Sequence, residues 1–200
     1  KGVSTPTPSV RPVDMEVALA SGRGACSEKL FELANRGAIS IMVAGTPLEV
    51  LQDRATQEHS GGVVWETALF LLRYLERKVL PGLGVKGRRL RVVELGSGCG
   101  LLGLGLARLG CEVILTDQEC ALPNLQQNAE AQGAGTTVKV QALSWGDEKD
   151  IAAVCSQGVV DLVVGSDVVF AMRFVEPLLK TIAGLLQESG CCWLCLQRRD

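Results

Sequence analysis

Residues 94–100 read Glu-Leu-Gly-Ser-Gly-Cys-Gly and stand between two apolar runs, Leu90 to Leu95 and Leu101 to Leu109. A short Val/Leu-rich stretch, three alternating glycines and a longer apolar run read as a buried strand, a sharp turn and a helix. Gly96, Gly98 and Gly100 let the backbone turn sharply and approach a ligand with no Cβ in the way. The helix behind them offers free N–H groups in its first turn. Such a loop suits a nucleotide-like ligand.

The alternation continues downstream. The first helix, about Leu101 to Leu109, stops at Gly110. A second strand spans Glu112 to Thr116, and its helix runs from about Leu122 to Gln132 and stops at Gly133. A third strand covers Val138 to Leu143, with a short helix near Lys149 to Cys155. A fourth covers Val159 to Val164, and its helix runs from about Phe174 to Gln187. A fifth spans Cys191 to Gln197. Strands one, four and five are apolar with little alternation, as in strands covered by helices on both faces. The expected fold is therefore α/β, a doubly wound, mostly parallel sheet.

Upstream, Trp65, Leu69, Leu72 and Val79 recur at helical spacing until Pro81-Gly82. Ala38 to Val43 and Leu48 to Leu51 read as a small hairpin around Gly45-Thr46-Pro47, and Ser27 to Arg36 as a short helix. Three prolines with Ser and Thr mark residues 1–12 as a flexible tail. The expected organisation is a tail (1–12), an N-terminal extension (13–61) and a ligand-binding domain (62–200).

Composition narrows the function classes. The 200 residues are 47% hydrophobic, enough for one full core, and the net charge of −2 argues against a nucleic-acid-binding protein. The run Arg88, Arg89, Arg91 reads as a solvated turn or, less favourably, a partner contact. No apolar run reaches the ~18 residues of a membrane helix, so no membrane association is expected. The eight cysteines lie mostly in apolar runs, as buried thiols of a reduced protein do. Cys192 and Cys195 form a CxxC within a strand, where residues three apart face opposite sides, so they cannot pinch one metal. The single histidine, His59, excludes multi-histidine metal sites and makes a Ser-His-Asp triad improbable. The expectation is a monomer of the cytosol or nucleus with no bound metal.

Asp117 follows the second strand. A carboxylate there accepts hydrogen bonds from the hydroxyls of a ribose; a helix N-cap is the plainer role. Two ligand classes remain open, because Gly98-Cys99-Gly100-Leu101-Leu102-Gly103 also has the GxGxxG spacing of dinucleotide sites. That alternative starts its first glycine three residues after the strand ends and leaves Glu94 unexplained.

Three more segments accompany the glycine loop: Gly62-Val63-Val64-Trp65-Glu66-Thr67-Ala68, Ser144-Trp145-Gly146 after the third strand, and Ser166-Asp167-Val168-Val169-Phe170 after the fourth. In this order the four motifs resemble those of the seven-strand protein-lysine methyltransferases, a family with a Rossmann-like class I fold, over about Gly62 to Gln197. The resemblance implies S-adenosyl-L-methionine as cofactor and a protein substrate presenting a lysine. It places Glu94, Gly96, Gly98 and Gly100 around the methionine part, Asp117 on the ribose, Trp145 beside the adenine, Trp65 near the methionine end and Ser166 at the cofactor. Ser97 and Gln118 join this cofactor-binding set. Asp167 and Phe170 would form the lysine entrance and are the catalytic candidates. Trp65, Trp145 and Phe170 are also plausible core residues.

The chain departs from the family in two respects. Position 170 carries Phe where Tyr is usual, which removes a hydroxyl. Family members add an antiparallel strand pair after strand five, which this sequence lacks, so a fragment or a shortened form is expected. A non-catalytic cofactor-binding or interaction module is therefore the main alternative, ahead of a nicotinamide-dependent oxidoreductase. A small-molecule or arginine methyltransferase also shares the glycine loop. No pair of glutamates lies between Asp167 and Arg173, and no Pro-Pro follows strand four.

Overall fold

The computed structural model describes residues 37–54, 60–83, 87–133 and 137–197. The proposed tail, the helix at Ser27 to Arg36 and His59 lie outside the described residues.

The described chain opens with an antiparallel hairpin, β1 (Ala38–Val43) and β2 (Thr46–Leu51), in register from Ala38 opposite Leu51 to Val43 opposite Thr46. The turn is Ala44-Gly45, with φ of 49° and 77°, one step earlier than the expected Gly45-Thr46-Pro47. Positive φ at both central residues suits a two-residue turn that follows strand twist. Ile39, Val43, Leu48 and Val50 point inward and are buried.

Helix α1 (Glu66–Tyr74) carries on as a π-type turn over Leu75–Val79 and a 3-10 turn over Leu80–Gly82. One continuous helical segment was expected, and its end at Pro81-Gly82 is as read, because proline cannot continue the hydrogen-bond ladder. Then come β3 (Arg91–Leu95), α2 (Leu101–Arg108), β4 (Glu112–Asp117), α3 (Leu122–Glu130), β5 (Val138–Ala142), α4 (Glu148–Cys155), β6 (Val160–Ser166), α5 (Val175–Leu185) and β7 (Leu186–Cys195).

These five strands form one parallel sheet in the order β5-β4-β3-β6-β7. The first strand of the sheet is its centre. Strand order therefore reverses beside β3, and a crevice opens at the carboxyl ends of β3, β4 and β6. Successive strand residues feed opposite cores. Val92, Val113, Leu115, Leu162 and Val164 join the hairpin, α1 and α2 on one face. Val93, Leu95, Ile114 and Val163 join α4 and α5 on the other. Cys195 belongs to the first core and Cys192 to the second, so the CxxC thiols do face opposite ways.

Two details differ from expectation. The last helix stops at Leu185, and Leu186–Gly190 is already strand. Val160 pairs with Leu186 and Leu162 with Cys191, so residues 187–190 bulge out. A Cβ at Gly190 would meet Leu186 Cδ2 at 2.8 Å, which explains a glycine where the bulge closes. Arg88 and Arg89 are exposed, as expected of a solvated turn, but the run also makes ion pairs that were not read from sequence. Arg88 holds Asp161 through two 2.6 Å bonds, and Arg91 holds Glu112 at 2.8 Å, tying the amino ends of β3, β6 and β4.

Candidate functional site

The glycine loop is built from its neighbours. Gly96, Gly98 and Gly100 have φ of 64°, 54° and 85°, a region where a side chain costs about 1 kcal/mol or more. Space is also short: a Cβ would lie 3.0 Å from Val168 Cγ1 at Gly96, 3.0 Å from the Gly61 carbonyl at Gly98, and 2.8 Å from Leu125 Cδ1 at Gly100. Ser97 and Thr116 bolt the loop to β4. The Ser97 amide donates to the Thr116 carbonyl at 3.0 Å, the Thr116 amide to Ser97 Oγ at 3.0 Å, and the Thr116 hydroxyl to the Glu94 carbonyl at 2.6 Å.

Asp117 ends β4 and faces the loop. Its carboxylate accepts the Gly98 amide at 2.8 Å and the Gln118 amide at 2.7 Å. It therefore sets the loop's position while lining the cavity beside it. Across the crevice, Trp145 sits in a turn whose Gly146 has φ of 85°. The Gly146 amide donates to Thr181 Oγ1 at 2.8 Å, which ties the turn to α5.

Ser166 and Asp167 form the tip of β6. Asp167 has φ of 54°; with Ala44 it is one of two described non-glycine residues at positive φ. Its amide donates to the Cys195 carbonyl at 2.8 Å, so β7 holds the strained residue in place. Such strain is concentrated at functional sites.

Together these residues line a cavity of about 650 Å³. The loop contributes Gly96, Ser97, Gly98 and Gly100, and β4 contributes Asp117 and Gln118. Trp65, Trp145, Ser166, Asp167 and Phe170 complete the set expected from sequence. Glu94 is absent from the wall. It is 1% exposed, beneath the loop, where its carboxyl accepts the Gly103 amide at 3.0 Å. Burial pushes that carboxyl up to about 8. Its place is beneath the glycine loop, outside the cavity wall.

A sequence model of the family described as Lysine methyltransferase matches residues 43–200. The chain belongs to the lysine methyltransferase family. It is 38% identical over 126 residues to protein N-lysine methyltransferase METTL21A of Danio rerio, covering 62% of this chain and 54% of that protein. It is 32% identical over 156 residues to EEF1A lysine methyltransferase 3 of Mus musculus, covering 78% and 63%. This family member thus spans less than two thirds of the length of either relative. The crystal structure of a SAM-dependent methyltransferase from Agrobacterium tumefaciens shares its fold, with a TM-score of 0.56 at 17% identity, covering 80% of this chain and 52% of that one. The fold is the Rossmann-like one of class I methyltransferases.

Several lining residues of this lysine methyltransferase family member had no sequence signal of their own. Gly61 enters from the segment before α1, and Phe174 and Pro177 from the start of α5. Phe174 had read only as a helix start; its ring meets Phe170 at 4.9 Å through the irregular segment between β6 and α5. Asn128 lies outside the wall and was also missed. It is buried, accepts the Leu51 amide at 2.8 Å and donates to the Cys99 carbonyl at 2.9 Å, joining hairpin, α3 and loop. Burial pushes the Cys99 thiol up to about 12, so this cavity thiol stays protonated. Among the described residues there is no cluster of metal-ligating side chains and no helix long and apolar enough to cross a membrane.

Proposed function

We propose that this chain binds S-adenosyl-L-methionine and carries the methyl-transfer site of a protein-lysine N-methyltransferase. The observation that supports it is convergence: eleven of the twelve residues named from sequence motifs line one cavity at the reversal of strand order.

The wall suits the cofactor's three parts. Bare backbone at Gly96 and Gly98, where a Cβ would meet atoms at 3.0 Å, admits the close approach of an amino-acid moiety. Asp117 offers carboxylate oxygens to ribose hydroxyls. Trp145 and Leu143 offer apolar surface to a purine. When bound, the sulfonium supplies an activated methyl and a neutral leaving group.

The chain's own work is to orient the acceptor and to favour its neutral form. Lysine has a pKa near ~10.4, so a neutral amine at pH 7.4 costs about 4 kcal/mol. The rings of Phe170 and Phe174 make the mouth less polar, which favours the neutral amine. Asp167 acts differently: it captures the ammonium and, after proton loss to water, accepts an amine N–H and aims the lone pair. Orientation of this kind is worth several kcal/mol. The cytosol or nucleus is the proposed location, supported by seven described cysteines, all free.

Calorimetric titration with S-adenosylhomocysteine and with NAD, on the chain and on Asp117→Ala, tests the cofactor. Binding of S-adenosylhomocysteine alone, lost in the variant, is expected; binding of NAD alone overturns the proposal. Transfer of labelled methyl to lysine, followed by hydrolysis of the labelled protein, separates a lysine enzyme from an arginine enzyme and from a silent module.

A further inference from the structure

At the cavity mouth, Phe170 and Phe174 stand with ring centroids 4.9 Å apart, tilted at 50°. Both line the cavity together with Asp167. Trp145 meets Phe174 edge-on at 6.1 Å, which fixes the second ring. The Arg173 guanidinium lies 4.7 Å over Phe174, so the ring pair already receives one cation. Phe170 remains 48% exposed. No phenol belongs to this wall, since the chain's one tyrosine, Tyr74, packs against Trp193 at 5.3 Å.

The chemistry of that wall discriminates among states of a lysine side chain. An unmethylated ammonium carries three N–H donors and is strongly hydrated. Each methyl group removes a donor, spreads the charge and adds apolar surface. Phenyl faces accept an N–H only weakly, so they do not offset the loss of water from a strongly hydrated ammonium. They do attract a diffuse cation within ~6 Å of the ring centroid. The charged groups lining the same cavity are Asp117, Glu119, Asp167 and Arg173. Of these, Asp167 is three residues before Phe170 and supplies an attraction that does not require a donor.

We infer that Phe170 and Phe174 form a receptor for methylated lysine ammonium groups, so that the site holds lysines already bearing methyl groups more tightly than unmethylated lysine. The inference rests on the reading of this mouth as the lysine channel.

The test titrates the full chain with acetylated methyl esters of lysine and trimethyl-lysine and with the neutral tert-butyl isostere. Binding is followed by tryptophan fluorescence, with and without S-adenosylhomocysteine. Trimethyl-lysine is expected to bind about fivefold more tightly than the isostere, and more tightly than lysine. Phe170→Ala removes the preference and Phe170→Trp retains it. Equal binding of trimethyl-lysine and isostere, or a preference that survives Phe170→Ala, overturns the inference. The cofactor proposal fails separately, if S-adenosylhomocysteine itself does not bind, and the lysine titrations without it still decide the receptor.

Discussion

The Glu94 carboxyl accepts the Gly103 amide at 3.0 Å from a position that is 1% exposed. The acidic residue that opens the glycine motif thus supports the junction of loop and helix from inside the protein. Burial is the main cause of its upward shift to about 8. An unfolded glutamate titrates near ~4.3. Between these values the folded chain keeps a proton that the unfolded chain has released. The stability contribution is therefore full below about pH 4.3, declines as pH rises and is gone above about pH 8. Glu94→Gln should flatten this decline, and Glu94→Ala should cost about 3 kcal/mol at pH 5, a cost that shrinks as pH rises toward 8. Urea midpoints at pH 5, 7 and 8.5 check both.

Two glycines inside α2 make a contrast with one at its end. A Cβ at Gly103 would lie 2.2 Å from Leu115 Cδ2, and one at Gly105 2.4 Å from Leu72 Cδ2. Gly110 has φ of 92° but open space around it. Gly103→Ala and Gly105→Ala should each lose about 2 kcal/mol or more through overpacking. Gly110→Ala should lose about 1 kcal/mol through backbone strain alone. Thermal unfolding of the three variants gives the order.

Asp167 offers a separation of stability from activity. At φ of 54° its backbone suits glycine. Asp167→Gly should leave the unfolding free energy within about 1 kcal/mol of the parent. Methyl transfer should fall by two orders of magnitude or more, because the amine is no longer aimed. Unchanged transfer rates would remove Asp167 from the proposed site.

Asn128 should matter more than its place in the middle of α3 implies. Its side chain serves the Leu51 amide, the Leu51 carbonyl and the Cys99 carbonyl. Asn128→Ala leaves these groups unpaired and should cost about 2–3 kcal/mol. Asn128→Asp should be no better, since it turns a carboxylate toward two carbonyls. Hydrogen exchange at the Leu51 amide reports the detachment of the hairpin directly.

Much of this was legible in the sequence, for physical reasons that differ along the chain. The central strands read clearly because β3 and β6 are buried along most of their length and are rich in Val and Leu. Asp117, Trp145 and Asp167 were legible because each follows a strand, where a doubly wound sheet gathers its ligands. The start of β7 was misread because Leu185 and Leu186 continue the apolar spacing of α5, and only pairing with Val160 reveals the strand. The ion pairs of the arginine run were not legible because its partners, Asp161 and Glu112, are far away in sequence. Glu94 was expected in the wall because the motif places it next to the glycines. Its burial, and the Gly103 partner, depend on how α2 packs on the sheet. Phe174 and Asn128 act through contacts between separate elements that no local pattern encodes.

The cavity wall runs from Gly61 to Pro177, and this has a consequence for synthesis. A chain emerging from the ribosome makes β3 before the other four strands of the parallel sheet, yet β3 becomes its middle. The crevice acquires its second bank only when β6 and the start of α5 arrive. Any ligand that binds there stabilises the finished domain and nothing shorter. The concentration of that ligand during synthesis then sets how much of the newly made protein is held in the finished fold.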